Sequence, residues 1–455
     1  MRHLLTFNTS ALASLGALIA ALFACSSDDS QALPLIVRPG TGGTGMPTGS
    51  AGMPASAGAG GVSAGGTGGA QNVGEENPNP IGGISGAAGE TGGNNGGAAG
   101  AEPTAGAGGV ATGGTENVPD DCDPTVIPAA SPLIGWASVA GNGVATTTGG
   151  GAATPVVVTT LQELQIAVIG DQPQVIRVQG VLAPGDIAIG SNKTIVGTCG
   201  AQIQGHIEMT ESVNVIIRNI EIVGYSPGDC ALDPGFDAAE GCSSGDDAIT
   251  VQRNSHHVWF DHVAVRDGSD GNLDVTNGAN FVTISWSKFS YTPRTDEVGS
   301  DATGAAGHRY SNLVGGTDEP DEFDDANSLN VTWHHNWWAD NVVERQPRIR
   351  FGQNHLFNNY WSSDVANYCV RAGIQARILL EGNFFDGVDD PHEFNNADDQ
   401  LTSNITADAS NTYQMTTSDM AVGGGGPAFT DPPYEYDLEA AAGIPDAVST
   451  GAGPE

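Results

Sequence analysis

The chain has 455 residues, of which 53 are Asp or Glu and only 15 are Lys or Arg, so its formal net charge at pH 7 is −38. So acidic a protein repels phosphate, which excludes nucleic acid as the default partner and favours divalent cations. The six cysteines show no CxxC spacing, so the usual thiolate metal site is excluded as well.

Residues 1–25 have the pattern of a bacterial export signal. Arg2 and His3 precede the apolar run ALASLGALIAALFA, which ends at Cys25 and is short for a membrane-spanning helix. The sequence LFAC resembles a lipobox, which predicts cleavage before Cys25 and a lipid anchor on it; an ordinary cleaved signal with an incidental cysteine is the alternative. Either way we expect a secreted protein, extracellular or held on the bacterial outer membrane as a lipoprotein, with the lipid as its only membrane contact.

Residues 26–121 are rich in Gly, Ala and Thr, as in GTGGTGMPTGSAGMPASAGAGG. They contain almost no large apolar side chains, so they cannot bury enough surface to offset the entropy of ordering. We interpret them as a disordered linker. Residues 122–455 are richer in Val, Ile, Asn, Asp and aromatic residues, and we expect them to form a monomeric folded domain. Their length is great for one compact core but usual for an elongated solenoid.

Short runs rich in β-branched residues recur through the folded domain, for example PQVIRVQGVL, VNVIIRNIEIV, HVWFDHVAV and LNVTWHHNWW. Only TTLQELQIAVIG, residues 159–170, has the pattern of a helix, with Thr160 as its expected cap. Many strands, few helices and asparagines at the strand ends predict stacked β-coils. A β-sandwich is the structural alternative, but it would need hairpin turns, and only Asn277-Gly278 is well placed for one.

Five cysteines fall within residues 122–455. Cys230 and Cys242 flank the loop ALDPGFDAAEG and are the favoured disulfide pair, and Cys122 with Cys199 is a weaker candidate. The odd number leaves one cysteine over, which we expect to be buried rather than nucleophilic.

The segment DGNLD carries two acidic residues, Asp270 and Asp274, four positions apart. Because side chains alternate along a strand, both carboxylates lie on one face and can converge on one cation. Asp247 opens the run DAITV one coil earlier and can project beside them. Calcium binds through oxygen ligands, several of them carboxylates, so the three residues form a candidate calcium site. Each taken alone is more simply a turn residue that accepts backbone hydrogen bonds.

Three of the 15 basic residues lie close together within residues 331–352, where Arg345, Arg348 and Arg350 bracket Pro347. An arginine grips a carboxylate with two parallel hydrogen bonds, which lysine cannot do. The cluster therefore indicates binding of an acidic ligand or salt bridges with the many acids of this chain. Arg348 is the candidate for a salt bridge.

The histidines and tryptophans of the same segment invite a role in catalysis or in sugar stacking. In β-coils such residues more often fill interior ladders or the floor of a groove. We therefore expect His334, His335, Trp337 and Trp338 to be structural, and the same holds for the pair Asp261-His262.

Three segments together resemble polysaccharide lyase family 1, the pectate lyases: VWFDHVAV (258–265), DGNLDVTNGANFVTISWSKFS (270–290) and VTWHHNWWADNVVERQPRIRFGQNHLFNNYW (331–361). The opening GWASVAGNGVATTTGGG and the ending PPYEYDLEAAAGIPDAVSTGAGP are also similar to that family. The resemblance covers residues 130–455 and implies an all-β fold, a right-handed single-stranded parallel β-helix with a substrate cleft along one outer face. It also implies β-elimination of pectate, a polymer of galacturonic acid.

By the same resemblance, Asp247, Asp270 and Asp274 match the family's calcium ligands. Gly245 stands where the family often has a further aspartate. Polygalacturonate is the implied partner and Ca²⁺ the implied cofactor, and the products would be 4,5-unsaturated oligogalacturonates. Cations are needed because the C5 proton of a galacturonate unit is poorly acidic while the adjacent carboxylate is ionised.

Arg345 matches, by resemblance, the family's catalytic arginine, and Arg350 matches a residue that holds a substrate carboxylate. A guanidinium is essentially never deprotonated near neutral pH. Either the pocket favours its neutral form and Arg345 takes the C5 proton, or hydroxide is the base and Arg345 stabilises the developing charge. The family has a lysine in a segment like HDKTMLIG, where this chain has HRYSNLVGG with Tyr310 at that position. Either Arg294 or Arg309 replaces the lysine, or this contact with the substrate is lost; the sequence leaves both open.

Three other functions are alternatives. A pectin lyase acts on methyl-esterified chains without calcium, and its members would replace the metal aspartates that this chain keeps at Asp270 and Asp274. A polygalacturonase hydrolyses the polymer with carboxylic acids, but its Gly-His-Gly and Arg-Ile-Lys segments are absent from the sequence. A surface polysaccharide-binding protein with impaired catalysis is suggested by the lipobox, the long linker and the missing lysine.

Overall fold

A computed structural model describes six stretches of the chain: residues 126–198, 200–225, 246–293, 308–319, 323–418 and 420–455. The chain divides into two units, Met1–Ala105 and Gly106–Glu455, and every described residue belongs to the second. The predicted signal and linker therefore lie outside the described residues.

Four of the cysteines expected to pair also lie outside the described residues, namely Cys122, Cys199, Cys230 and Cys242. Both disulfides stay predictions. Cys369 is free and buried, as expected for the cysteine left over by an odd count.

The predicted helix is confirmed as α1 (Leu161–Ala167). Thr160 caps it, because its hydroxyl accepts a hydrogen bond from the Glu163 amide while the Glu163 carboxylate accepts one from the Thr160 amide. Two helices that the sequence did not predict follow, α2 (Ala397–Thr402) and α3 (Ile444–Gly451). Within the described ranges, no helix has both the length and the apolar character needed to span a membrane.

The strands form two large sheets. The smaller sheet has eight strands: β3 (Ile187–Ala188), β6 (Ile207–Thr210), β8 (Ile249–Gln252), β10 (Leu273–Val275), β13 (Asn312–Val314), β16 (Arg348–Ile349), β19 (Val370–Ala372) and β22 (His392–Phe394). They lie side by side in the order of the chain. Each strand therefore belongs to a successive coil.

The larger sheet has sixteen strands: β1 (Val156–Val158), β2 (Gln174–Val178), β4 (Lys193–Gly197), β5 (Gln202–Gln204), β7 (Val213–Val223), β9 (His256–Arg266), β11 (Asn280–Ser285), β12 (Lys288–Ser290), β14 (Val331–His334), β15 (Trp337–Trp338), β17 (Gln353–Phe357), β18 (Tyr360–Trp361), β20 (Arg377–Glu381), β21 (Phe384–Asp386), β23 (Asn404–Ala407) and β24 (Thr412–Gln414). The long strands β7 and β9 pair along their whole length. Beyond β9 the sheet divides into two arms, one from β11 to β23 and one from β12 to β24.

Every pairing between the described strands is parallel, as for β10 with β13 and β14 with β17. A β-sandwich would pair consecutive strands antiparallel through hairpins. The predicted right-handed parallel β-helix is therefore confirmed.

Interior side chains of successive coils stack in rows. One row occupies matched positions of adjacent strands and consists of Phe289, Trp338, Trp361, Phe385 and Tyr413. The ring centroids of Trp338 and Trp361 are 4.7 Å apart, and those of Trp361 and Phe385 are 4.3 Å apart. Such stacking adds to the large apolar area that each ring buries. The predicted structural role of Trp338 is confirmed.

His334 and Asp261 also have structural surroundings. His334 is buried, and its ring stacks on Phe357 with centroids 4.9 Å apart. Asp261 is buried and accepts hydrogen bonds from the Ser285 hydroxyl and the Ser131 amide. Both predictions of a structural role are confirmed at these two positions.

A row of buried asparagines follows one corner of the coils: Asn336, Asn359, Asn383 and Asn411. Oδ1 of Asn359 accepts from the backbone amide of Asn336 at 2.9 Å and from its Nδ2 at 3.1 Å. Nδ2 of Asn359 donates to the carbonyl of Trp333 at 2.9 Å. The row thus satisfies backbone groups where the chain turns out of a strand, which explains the asparagines at strand ends.

Asn359→Ala should lower the free energy of unfolding by about 2–4 kcal/mol, because several buried polar groups lose their partners at once. Asn367→Ala is the control, since it removes only an exposed amide bonded to Glu344, and it should change stability by less than about 0.5 kcal/mol. Urea unfolding measures both. Equal effects of the two substitutions would contradict the role of the row.

Candidate active site

The candidate residues lie just before strands of the eight-stranded sheet. Asp247 precedes β8 by two residues, and Asp270 and Arg345 each precede their strands, β10 and β16, by three. Adjacent strands are about 4.8 Å apart, so residues distant in sequence meet at one edge of the sheet. Asp274 lies within β10 itself.

Asp247 and Asp274 face a common space above Gly271. A methyl group added at Gly271 would lie 2.6 Å from Oδ1 of Asp247 and 3.3 Å from Oδ1 of Asp274; we call this space the aspartate cradle (Asp247, Gly271 and Asp274). Oδ2 of Asp247 accepts from the Thr250 hydroxyl at 3.2 Å, and Oδ1 of Asp274 accepts from the Leu313 amide at 2.9 Å. Oδ1 of Asp247 is buried and has no hydrogen-bond partner among the described residues.

The two carboxylates of the cradle are costly to ionise. Burial, followed by the charges of Asp274 and Asp270, raises the pKa of Asp247 well above its usual range. Burial also raises the pKa of Asp274 to about 7, although the nearby Arg345 opposes the rise. Such groups gain most from a positive charge placed beside them.

These residues fit a calcium ion. Calcium binds oxygen ligands in flexible geometry, and the cradle offers a buried carboxylate oxygen without a partner. Within the described ranges, no group of three or more His, Cys, Asp or Glu side chains is placed to hold a metal ion. Oδ1 of Asp270 lies 2.9 Å from Nε2 of His308. The three predicted ligands thus divide into the cradle pair and a third carboxylate directed at His308.

Arg345 points toward the same aspartates. Its Nη1 lies 4.0 Å from Oδ1 of Asp270 and is buried, without a hydrogen-bond partner among the described residues. Its backbone has a φ of 55°, a left-handed conformation that is uncommon outside glycine. Burial alone would lower the pKa of Arg345, but Asp274, Asp270 and Asp247 outweigh it and raise the pKa. The site therefore pairs a charged guanidinium with three carboxylates.

The other predicted substrate ligands have partners within the protein. Nε of Arg350 donates to Oδ1 of Asp318 at 2.6 Å, and its Nη1 donates to the Gly315 carbonyl at 2.8 Å. A substrate carboxylate would have to compete with Asp318 for this guanidinium. Arg309 is buried, and its Nη1 donates to Asn341. The roles of Arg350 and Arg309 stay predictions.

Arg294 lies outside the described residues. Arg348, the candidate for a salt bridge, donates instead to the amide oxygen of Asn395 at 3.2 Å and forms no ion pair with any residue of the described ranges. Its neighbour on the next strand is Arg371. Burial, followed by the charge of Arg350, lowers the pKa of Arg348.

Two residues of the site were not assigned by the sequence, His308 and Tyr310. Nε2 of His308 lies 2.9 Å from both the carbonyl oxygen and Oδ1 of Asp270. The Tyr310 ring lies against Arg345, with Cζ of the arginine 4.9 Å from the ring centroid. The signal available in the sequence is their spacing of two just before a strand, which places both side chains on the same side of an extended chain.

The described residues form a parallel β-helix in which carboxylates face an arginine at one edge of a sheet. Residues 123–453 match the family model described as pectate lyase, and the chain belongs to the pectate lyase family, polysaccharide lyase family 1. The family predicted from the sequence is thereby confirmed.

Known relatives agree with this assignment. The chain is 33% identical over 228 residues to a pectate trisaccharide-lyase of Thermotoga maritima, which covers 49% of this chain and 54% of the relative. It is 29% identical over 303 residues to pectate lyase A of Dickeya chrysanthemi, covering 56% of this chain and 70% of the relative. The chain thus spans about half the length of the first of these curated relatives.

Solved structures show the same fold. A pectate lyase from Bacillus sp. N165 in complex with trigalacturonate is 25% identical with a TM-score of 0.53, covering 71% of this chain and 99% of that one. A pectate lyase variant from Xanthomonas campestris is 21% identical with a TM-score of 0.54, covering 70% of this chain and 98% of that one. The second likeness concerns the fold alone.

Proposed function

We propose that this chain cleaves 1,4-linked galacturonan (pectate) by β-elimination, in a calcium-dependent reaction that leaves 4,5-unsaturated oligogalacturonates. The observation that carries the proposal is the position of Asp247, Asp270 and Asp274 opposite Arg345 on one edge of the sheet. One relative is named a pectate trisaccharide-lyase, and one similar structure holds trigalacturonate. Both support an acidic galacturonan as the substrate.

The reaction removes the proton at C5 of a galacturonate unit and expels the oxygen at C4. Positive charge beside the C6 carboxylate lowers the barrier, because negative charge develops there as the proton leaves. Calcium held by Asp247, Asp270 and Asp274 would supply part of that charge. Since the pKa values of Asp247 and Asp274 are raised, these residues would release protons on binding a cation.

Arg345 assists removal of the C5 proton. Its Nη1 has no hydrogen-bond partner among the described residues, and the side chain is 16% exposed, so part of the guanidinium can contact a substrate. The planar guanidinium matches the geometry of a carboxylate. Arg350, which directly follows β16, holds a further substrate carboxylate in exchange for Asp318.

The native chain should release unsaturated uronate, followed by its ultraviolet absorbance, from polygalacturonate with added calcium, and a chelator should stop the release. Release from methyl-esterified pectin without calcium would instead indicate a pectin lyase. New reducing ends without absorbance would indicate a hydrolase, and binding without products would indicate a polysaccharide-binding protein with impaired catalysis. Each of these three results would contradict the proposal.

A further inference from the structure

One coil separates the coils that carry Asp270 and Arg345. Asp270 precedes β10, Arg345 precedes β16, and β13 pairs with both strands. The two outer strands are therefore about 10 Å apart. The arginine has to reach across the middle coil to bring Nη1 within 4.0 Å of Asp270. The position of the guanidinium therefore depends on the side chains of the middle coil that it passes.

Tyr310 occupies this place on the middle coil. Cζ of Arg345 lies 4.9 Å from the centroid of its ring, within the range of about 6 Å at which an aromatic face attracts a guanidinium. The backbone is fixed from two sides. Tyr310 forms a parallel bridge with Glu344, and its carbonyl accepts from the Tyr291 hydroxyl at 2.7 Å. The backbone that carries the ring is thus paired directly with Glu344, the residue before Arg345.

His308 links the same stretch to Asp270. Its ring centroid is 4.0 Å from that of Tyr310, and its Nε2 is 2.9 Å from Oδ1 of Asp270. One short stretch therefore contacts both Arg345 and Asp270. The two charged groups are held 4.0 Å apart, which is longer than a hydrogen bond. Nη1 therefore does not donate a hydrogen bond to Asp270.

We infer that Tyr310 is a positioning residue for Arg345: the face of its ring holds the guanidinium short of Asp270 and so keeps it out of a hydrogen-bonded ion pair with that carboxylate. Without the ring, the arginine is free to close on Asp270 and form a hydrogen-bonded ion pair. The kinetic consequence of this inference rests on the proposed function. In this role Tyr310 acts through Arg345, whose guanidinium lies over a face of its ring.

Tyr310→Leu should lower kcat by about tenfold to a hundredfold, because a small displacement of a reacting group is costly, and KM should stay within about threefold of the native value. Tyr310→Phe keeps the ring face and should keep kcat within about twofold of native. Trp337→Leu is the matched control. It removes an aromatic ring of the sixteen-stranded sheet, whose centroid lies 4.5 Å from Nζ of Lys288. It should leave kcat unchanged.

The second readout is the side-chain Nε–Hε signal of Arg345 in an NMR spectrum of the folded chain, assigned by its loss in Arg345→Lys. The signal should shift in Tyr310→Leu, because the ring current is removed, and stay in place in Tyr310→Phe. An unmoved signal in Tyr310→Leu, or an equal loss of kcat in the Phe and Leu variants, would overturn the inference. If the native chain has no lyase activity, the proposed function fails, and the NMR signal alone decides whether Tyr310 positions Arg345.

Discussion

Arg345→Lys should lower kcat on polygalacturonate by about a hundredfold to a thousandfold, with KM changed by less than about threefold. Lysine keeps the positive charge but loses the planar fork that can face a carboxylate with two N–H groups. It also loses the flat guanidinium that rests against the Tyr310 ring. The effect falls on kcat because the interaction is made as charge develops in the transition state. Initial rates at saturating calcium measure it.

Arg253→Lys is the control for this substitution. Arg253 is exposed and also lies over an aromatic ring, at 5.7 Å from the centroid of Phe323. It should retain native kinetics. Native activity in Arg345→Lys would contradict the assignment, whether the arginine takes the C5 proton or stabilises the developing charge.

Asp274→Asn should weaken calcium binding by at least about tenfold and raise the calcium concentration needed for activity in parallel. Asparagine keeps an oxygen that accepts from the Leu313 amide, so the fold is preserved while one negative charge is lost. Calorimetric titration measures the affinity, and rates at increasing calcium measure the activity. Asp364→Asn, which changes an exposed carboxylate, should alter neither. An unchanged affinity for calcium in Asp274→Asn would show that the aspartate cradle is not part of the calcium site.

The same substitution should stabilise the calcium-free chain at alkaline pH. The pKa of Asp274 is about 7 in the folded chain and about 3.9 in an unfolded one. Since the folded value is raised, the stabilising contribution of the protonated Asp274 is fully present below about pH 4 and is lost as the pH rises through about 7. Asparagine does not titrate, so its advantage should grow from about pH 5 to about pH 8. Unfolding with chelator present tests this, and an advantage that shrinks with pH would contradict it.

Much of the fold could be predicted from local patterns. The β-branched runs predicted coils because each run is one strand of a repeating unit, and the pattern of residues 159–170 predicted α1 because an apolar helical period is a local signal. The alternation of a strand predicted one face for the carboxylates of Asp270 and Asp274, but Asp270 precedes β10 and its Oδ1 lies beside Nε2 of His308. The helices α2 and α3 were not predicted, because ADDQLT and IPDAVSTG hold fewer large apolar residues than TTLQELQIAVIG and so show a weaker helical period.

Contacts between coils could not be predicted in this way. Which residue lies beside Arg345 depends on the register between β13 and β16, and that register follows from the lengths of the intervening turns. From the sequence, Tyr310 was interpreted only as a position where the family's lysine is missing. In the structure its ring lies against Arg345. The salt bridge expected of Arg348 was wrong for the same reason, since the adjacent strand presents Arg371 rather than an acid.

The most direct test of the central claim is a crystal structure of Arg345→Lys grown with calcium and trigalacturonate. We predict a calcium ion with oxygens of Asp247, Asp270 and Asp274 at about 2.3–2.6 Å, a galacturonate carboxylate on the same ion, and residue 345 directed at C5 of that sugar. An ion bound elsewhere, or a sugar whose C5 faces away from residue 345, would contradict the account.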